Sequence, residues 1–168
     1  MKSNKKLEPL TQNIPLEELL AMHRFESESE RLVGLTIYVA AWLDSQINLG
    51  LKKFDITRPQ YNLIKVLYNN HPHRMSTGVI TSRMIDKTSN VTRLADRLIP
   101  RGILIRVQNE ENRRIHELSL TPKGVKMAED LDATMREGVW SVPLQQFSKE
   151  ELDQMISLLY KLKGIQVV

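Results

Sequence analysis

The chain of 168 residues contains no cysteine, which excludes disulfides, a thiolate zinc site and a cysteine-based peroxide sensor. It has no run of about 18 consecutive apolar residues, the mark of a membrane-spanning helix. Its basic N-terminus is followed by no apolar signal-peptide core, so a soluble cytoplasmic protein is expected. Catalytic constellations are missing as well. No Ser-His-Asp set, phosphate-cradling glycine loop or pair of catalytic carboxylates can be assembled, and Gly78 stands alone inside a helical pattern. The histidines are His23, His71, His73 and His116. His71-Pro72-His73 reads as a polar loop rather than a metal pair. No enzyme activity, metal or cofactor is expected, and there is no internal repeat or low-complexity tract.

Net charge is low but unevenly placed. Residues 57–121 hold nine Arg and two Lys against two Asp and three Glu, a net charge of +6 in a chain of net +4, which leaves −2 for the remainder. A basic segment beside a slightly acidic one suggests a module that faces a polyanion and a separate body.

That basic segment has a legible plan. Ser76 is a good N-cap for a short helix with Val79, Ile80 and Met84 on its apolar face. Ile85-Asp86-Lys87 forms a joint, and Asp86, Thr88 or Ser89 can cap a second helix. The second helix shows Val91, Leu94, Ala95 and Leu98 on one face and Ser89, Asn90, Thr92, Arg93, Asp96 and Arg97 on the other. Pro100 and Gly102 end it. Two alternating stretches follow, 103–108 and 115–120, joined by the charged tip Asn109-Glu110-Glu111-Asn112-Arg113-Arg114. Two helices at a short turn followed by a hairpin make a winged helix-turn-helix, whose second helix enters the major groove of DNA.

The flanks are helical. Residues 1–14 read as a flexible tail. Pro15 to Leu20 starts a short helix, and Ser27-Glu28-Ser29-Glu30 fits a capping box for a long helix ending near Lys52. Leu32, Leu35, Val39, Leu43, Ile47 and Leu51 give that helix an apolar stripe, widened by Ile37, Ala40, Ala41 and Trp42. Thr57 caps the next helix, with Pro59 in its first turn and Tyr61, Ile64, Leu67 and Tyr68 on its inner face. After the wing, a helix runs from Thr121-Pro122 through Met135 towards Trp140, and Pro143 breaks it. Ser148-Lys149-Glu150-Glu151 is a second capping box, opening a helix with Leu152, Met155, Ile156, Leu159 and Leu162 on one side. The fold class expected is α+β, mostly α: a winged helix-turn-helix lobe over 56–121, with dimerisation helices at 15–55 and 122–168. The surplus apolar faces make a homodimer through the first and last helices the simplest assembly, with Leu152, Ile156, Leu159 and Leu162 at its interface.

Each candidate DNA contact has a chemical reason. Ser76 and Thr77 open a helix, where amides and hydroxyls hold a phosphate. Lys87 sits in the turn. Ser89, Asn90 and Arg93 lie near the start of the recognition helix, where Asn can meet adenine and Arg guanine. Thr92 and Arg97 suit phosphates, and Asp96 suits a neighbouring arginine. Arg113 and Arg114 point to opposite sides of the hairpin tip, so one reaches DNA and the other braces the wing.

The segment Ser89 to Leu98, Arg101-Gly102, Asn112-Arg113-Arg114 and Leu120-Thr121-Pro122-Lys123-Gly124 resembles the MarR family of bacterial transcription regulators. The resemblance covers residues 56–124 by motif and the whole chain by helix layout. It implies a triangular homodimer and assigns Arg114 to the minor groove. It also implies a small aromatic or amphipathic effector where dimer helices meet the DNA-binding lobes, a place that Met22, Trp42, Tyr61, Met135 and Trp140 could line. Asn112 departs from the family, which has an acid there to pair with the second wing arginine; Glu110 or Glu111 is the substitute at hand. The expected function is a ligand-responsive repressor that binds a pseudo-palindromic operator. The alternative is a winged-helix module for protein contacts.

Overall fold

The computed structural model describes residues 18, 25–109, 112, 115–140 and 145–164, with the Trp140 side chain excepted. The expected tail, the Pro15–Leu20 pattern apart from Glu18, Met22, the wing residues Glu110, Glu111, Arg113 and Arg114, and Pro143 lie outside the described residues. The order is α1 (Glu28–Leu51), a 3-10 turn (Lys52–Phe54), α2 (Arg58–Tyr68), β1 (Met75–Ser76), α3 (Thr77–Arg83), α4 (Val91–Leu98), β2 (Leu104–Gln108), β3 (His116–Leu120), α5 (Pro122–Thr134), a π-helical turn (Met135–Trp140) and α6 (Lys149–Lys163). This is the α+β, mostly helical winged fold that the sequence predicts.

Helix starts follow their caps. Ser27 accepts from the Glu30 amide at 3.1 Å, while the Glu30 carboxylate accepts from the Glu26 amide at 2.6 Å. The return bond therefore lands one residue upstream of the cap. Gln60 Oε1 accepts from the Thr57 amide at 2.8 Å and opens α2. At α6 the box closes both ways: Glu151 N donates to Ser148 Oγ at 3.2 Å and Ser148 N to Glu151 Oε2 at 2.8 Å.

The core lies in the middle of the chain. α2 buries Gln60, Leu63, Ile64 and Leu67, and Tyr61 and Tyr68, expected on the inner face, are half-buried. Ile80 and Met84 of the α3 region are buried, but Val79 is 45% exposed, because it sits about 100° round the helix from Ile80. The sheet has the order β1-β3-β2, all antiparallel. Leu104 opposes Leu120 and Arg106 opposes Leu118. β1 pairs Met75 with Leu118 and closes the hairpin against the start of α3. At Gly124 the chain passes so near that a Cβ would lie 2.1 Å from the Ile103 carbonyl oxygen. Gly102 turns the chain into β2 with φ of +67°.

The flanking helices differ from this core. In α1 only Leu51 is buried, and Leu32, Leu35, Ile37 and Val39 are exposed. No residue of α6 is buried. The segment Glu28–Phe54 is long and apolar enough in composition to cross a membrane, against the expectation drawn from the lack of an unbroken apolar run. The average stays high because the charges sit at its two ends, and Asp44 is the one charged residue between Leu32 and Leu51. Its C-terminal end nevertheless packs on the lobe: a Cβ on Gly50 would meet Met135 Cε at 3.2 Å, and Asp44 pairs with Arg58 of α2.

Candidate nucleic-acid interface

The recognition helix is set by its preceding turn. Asp86 Oδ1 accepts from the Thr88 amide at 2.9 Å and from the Thr88 hydroxyl at 2.6 Å, and Oδ2 accepts from the Ser89 hydroxyl at 3.3 Å. The Thr88 bonds hold the Asp86 carboxyl below its ordinary range. The helix cap is Asn90, not Asp86, Thr88 or Ser89: its Oδ1 accepts from the Arg93 amide at 3.0 Å. This changes the chemistry open to Asn90. A bidentate adenine contact needs the same oxygen, so it would cost the cap.

α4 separates its faces as its periodicity requires. Val91, Ala95 and Leu98 are buried, and Thr92, Arg93, Asp96 and Arg97 are exposed. Among the described residues Arg93, Arg97 and Lys87 make no ion pair, and Lys87 in the turn is exposed like the two arginines. Asp96 is held by Arg106 of β2, Nη2 to Oδ1, at 2.7 Å.

Beside the start of α4 lies a cleft of about 320 Å³. Ser76, Thr77 and Gly78 form one wall, Thr92 another, and Arg106, Ile115 and His116 the third. Ser76 Oγ caps α3 by accepting from Val79 N at 3.4 Å. The structure thus brings together Ser76, Thr77 and Thr92, all picked from the sequence, and adds Arg106 and His116, which were not. Their position follows from the hairpin register. Arg106 opposes Leu118 and Gln108 opposes His116, so Arg106 and His116 are diagonal neighbours on one face. Hydroxyls and a guanidinium around an open cleft suit a backbone phosphate.

Arg97 lies at the other end of α4, in a second cleft with Lys52 and Arg101. Arg101 fixes that end: Nη1 donates to the Asp55 carbonyl at 2.6 Å and Nη2 to the Phe54 carbonyl at 2.8 Å. The wing base is braced by Asn109, whose Oδ1 accepts from the Asn112 amide at 2.9 Å and whose Nδ2 donates to Glu117 at 3.0 Å. Asn112 thus serves the wing through its backbone. Arg113 and Arg114 themselves lie outside the described residues.

The other candidates are dispersed. Leu152 is half-buried, and Ile156, Leu159 and Leu162 are 51–56% exposed. Met135 is fully buried core, and Trp42 and Tyr61 are half-buried. Neither cleft touches these three residues. Burial, followed by the charge of Asp132, raises the Tyr61 pKa.

Two helices at a capped turn, a buried apolar seam and a three-stranded wing define a winged helix-turn-helix protein. The MarR family model matches residues 56–116. The HTH-type transcriptional regulator YybA of Bacillus subtilis (strain 168) is 30% identical over 132 residues, 74% of this chain and 81% of that one. The HTH-type transcriptional regulator PrsX of Escherichia coli is 27% identical over 94 residues, 56% of this chain and 57% of that one. A MarR-like transcription regulator of Bacillus cereus has the same fold, with a TM-score of 0.72 at 24% identity, covering 81% of this chain and 96% of that one. So does the MepR–DNA complex of S. aureus, with a TM-score of 0.69 at 22% identity over 84% of this chain and 98% of that one. The chain belongs to the MarR family of transcription regulators.

Proposed function

We propose that this protein is a cytoplasmic, ligand-responsive repressor that binds a pseudo-palindromic operator as a homodimer. One observation carries the reading: α4 buries its apolar seam and presents Arg93 and Arg97 without ion pairs among the described residues, while Thr92 at its start lines the cleft walled by Ser76, Thr77 and Arg106. Two exposed guanidiniums on one face of the helix give it a positive potential that attracts a polyanion. Arg93 reads a base edge, while Lys87, Thr92, Ser76 and Thr77 hold phosphates. Arg113 and Arg114 extend the contact through the wing, as the family resemblance implies. The exposed apolar residues of α1 and α6 supply the dimer interface. The neighbours solved with DNA, MepR of S. aureus and a mutant MarR of E. coli with operator DNA, support the docking mode.

Selection of bound duplexes from a random pool tests this. A two-fold symmetric consensus, with half-sites about 34–36 Å apart or a multiple of that, is expected. Binding without any consensus would favour a module for protein contacts.

A further inference from the structure

The far end of α4 is tied to the end of α1. α1 runs without a break into the 3-10 turn Lys52–Phe54, and Asp55 then turns the chain with φ of 52° and ψ of 50°. Asp55 is the one non-glycine residue with a positive φ among the described residues, a conformation that aspartate tolerates better than most side chains do. A helical segment that ends this way leaves its last carbonyls in need of donors. Arg101 supplies them: Nη2 donates to the Phe54 carbonyl at 2.8 Å and Nη1 to the Asp55 carbonyl at 2.6 Å. The Asp55 carboxylate comes only within 4.0 Å, on a side chain 99% exposed, so backbone oxygens rather than an ion pair make the joint.

Arg101 is itself fixed to the recognition helix. Ile103 N donates to the Leu98 carbonyl at 3.2 Å and Gly102 N to the Ile99 carbonyl at 2.9 Å, which closes the end of α4. Lys123 Nζ donates to the Arg101 carbonyl at 2.8 Å and holds the same turn from α5. Lys52, Gln60 and Arg97 line the second cleft together with Asp55 and Arg101. Open space thus lies beside the joint, and the two guanidinium bonds set its angle where packed side chains do not.

We infer that Arg101 is a positioning residue: it fixes the angle between α1 and the recognition helix, and so sets the half-site spacing that the dimer accepts. The inference rests on the proposed binding of a two-fold operator by a dimer that α1 helps to form. Two half-sites must be met at once, so their separation reports the placement of the two recognition helices. α4 has 8 residues and is about 12 Å long, and a tilt of about 15° about its Arg101 end moves its reading end by about 3 Å. That is nearly the rise of one base pair, roughly 3.4 Å. A guanidinium resists such a tilt because its donors form a rigid planar fork, whereas a lysine offers one ammonium on a flexible stem.

Duplexes carrying the selected site with its spacer intact, or longer or shorter by one base pair, test this on the full chain. The parent should lose about tenfold or more in affinity on either change, and Arg101→Gln should bind the three duplexes within about threefold of one another. Its affinity for random duplex should stay near the parent's. Arg101→Lys should fall between, and it decides alone if urea unfolding shows that Arg101→Gln does not fold. Asp55→Asn keeps both carbonyls and tolerates the left-handed backbone, so it should discriminate as the parent does. Arginine variants as selective for spacing as the parent, an equal loss of affinity for all duplexes, or relaxed spacing in Asp55→Asn would overturn the inference and leave the operator reading standing. A parent indifferent to spacing would overturn both.

Discussion

Arg106 of the wing strand and Asp96 of the recognition helix meet across 2.7 Å, Nη2 to Oδ1. Among the described residues this is the ion pair that ties α4 to the hairpin. Asp96 is 53% exposed and Arg106 29%, so the pair adds at most about 1 kcal/mol to stability. Its larger role is to neutralise a cation that lines the cleft beside Ser76 and Thr77. Asp96→Asn should leave the thermal midpoint nearly unchanged and free Arg106 for phosphate. If the parent dimer neutralises about eight phosphates, its log K should fall with a slope of about −7 against log salt, and the variant's slope should steepen by about one per subunit. Affinity for random duplex should rise more than affinity for the selected site. An identical slope in parent and variant would show that Arg106 stays off the DNA.

The recognition helix was legible in the sequence because the 3.6-residue period separates Val91, Ala95 and Leu98 cleanly from Thr92, Arg93 and Arg97. Its cap was not, because Asp86, Thr88, Ser89 and Asn90 are all competent capping residues and only the turn geometry selects the last. β1 escaped for a simpler reason: two residues cannot show an alternation. Arg106 and His116 were hidden because their meeting depends on strand register, which side-chain pattern alone leaves open. The cleft around Lys52, Gln60 and Arg97 joins parts of the chain more than thirty residues apart, and no local pattern announces it.

Gly124 tests the packing of the wing on α5. A methyl group there would come 2.1 Å from the Ile103 carbonyl oxygen, and that oxygen also accepts from the Thr121 amide at 3.1 Å. The neighbour is backbone and cannot rotate away. Gly124→Ala should therefore cost about 3 kcal/mol or more, read as a lower urea midpoint with an unchanged slope. Gly78→Ala is the control: nothing lies within 4 Å of the new methyl, and a helical Ala is favoured over Gly by up to about 1 kcal/mol.

Tyr61 predicts an alkaline limit. Burial first, then the Asp132 charge, raises its pKa above the ordinary 10.0. A raised folded pKa means that the unfolded chain releases this proton first as pH climbs. The stability linked to Tyr61 is thus fully present below pH 10.0 and is lost as pH rises through the folded value. Tyr61→Phe should show a flatter decline of the urea midpoint above that pH. Asp132→Asn should lower the phenol's pKa but leave it above 10.0, since burial remains; that variant also removes the bonds of 2.6 and 2.7 Å from Lys65. A parent and a Tyr61→Phe variant with the same alkaline profile would remove this residue from the account.

The apolar face of α6 predicts an assembly. Ile156, Leu159 and Leu162 are all more than half exposed, a run along two turns of one helix face that a free surface rarely carries. Leu159→Asp places an unpaired charge in the proposed interface and should convert dimer to monomer or unfold the chain. Sedimentation of the unmodified protein supplies the check: a stable, well-folded monomer without DNA would refute the interface.

Two arginines should divide the reading of DNA between them. Arg93 belongs to the first turn of α4, where its amide is held by the Asn90 cap at 3.0 Å while its exposed guanidinium has no partner among the described residues. The backbone is fixed and the side chain is free, which is the arrangement a base contact in the major groove needs. Arg93→Ala should cost about 1–3 kcal/mol at one position of each half-site and little elsewhere. Arg114, placed at the wing by sequence, faces a minor groove that distinguishes little beyond A·T from G·C. Arg114→Ala should weaken binding to most duplexes and relax a preference for A·T-rich flanks, while the central consensus survives. Asn109 and Asn112 hold the base of that wing through a 2.9 Å bond. Asn109→Ala should therefore weaken the flank preference in the same direction as Arg114→Ala, without blurring the centre. Selected-site profiles of the three variants against the parent decide the matter. If Arg93→Ala and Arg114→Ala gave the same profile, the division of labour between recognition helix and wing would be wrong.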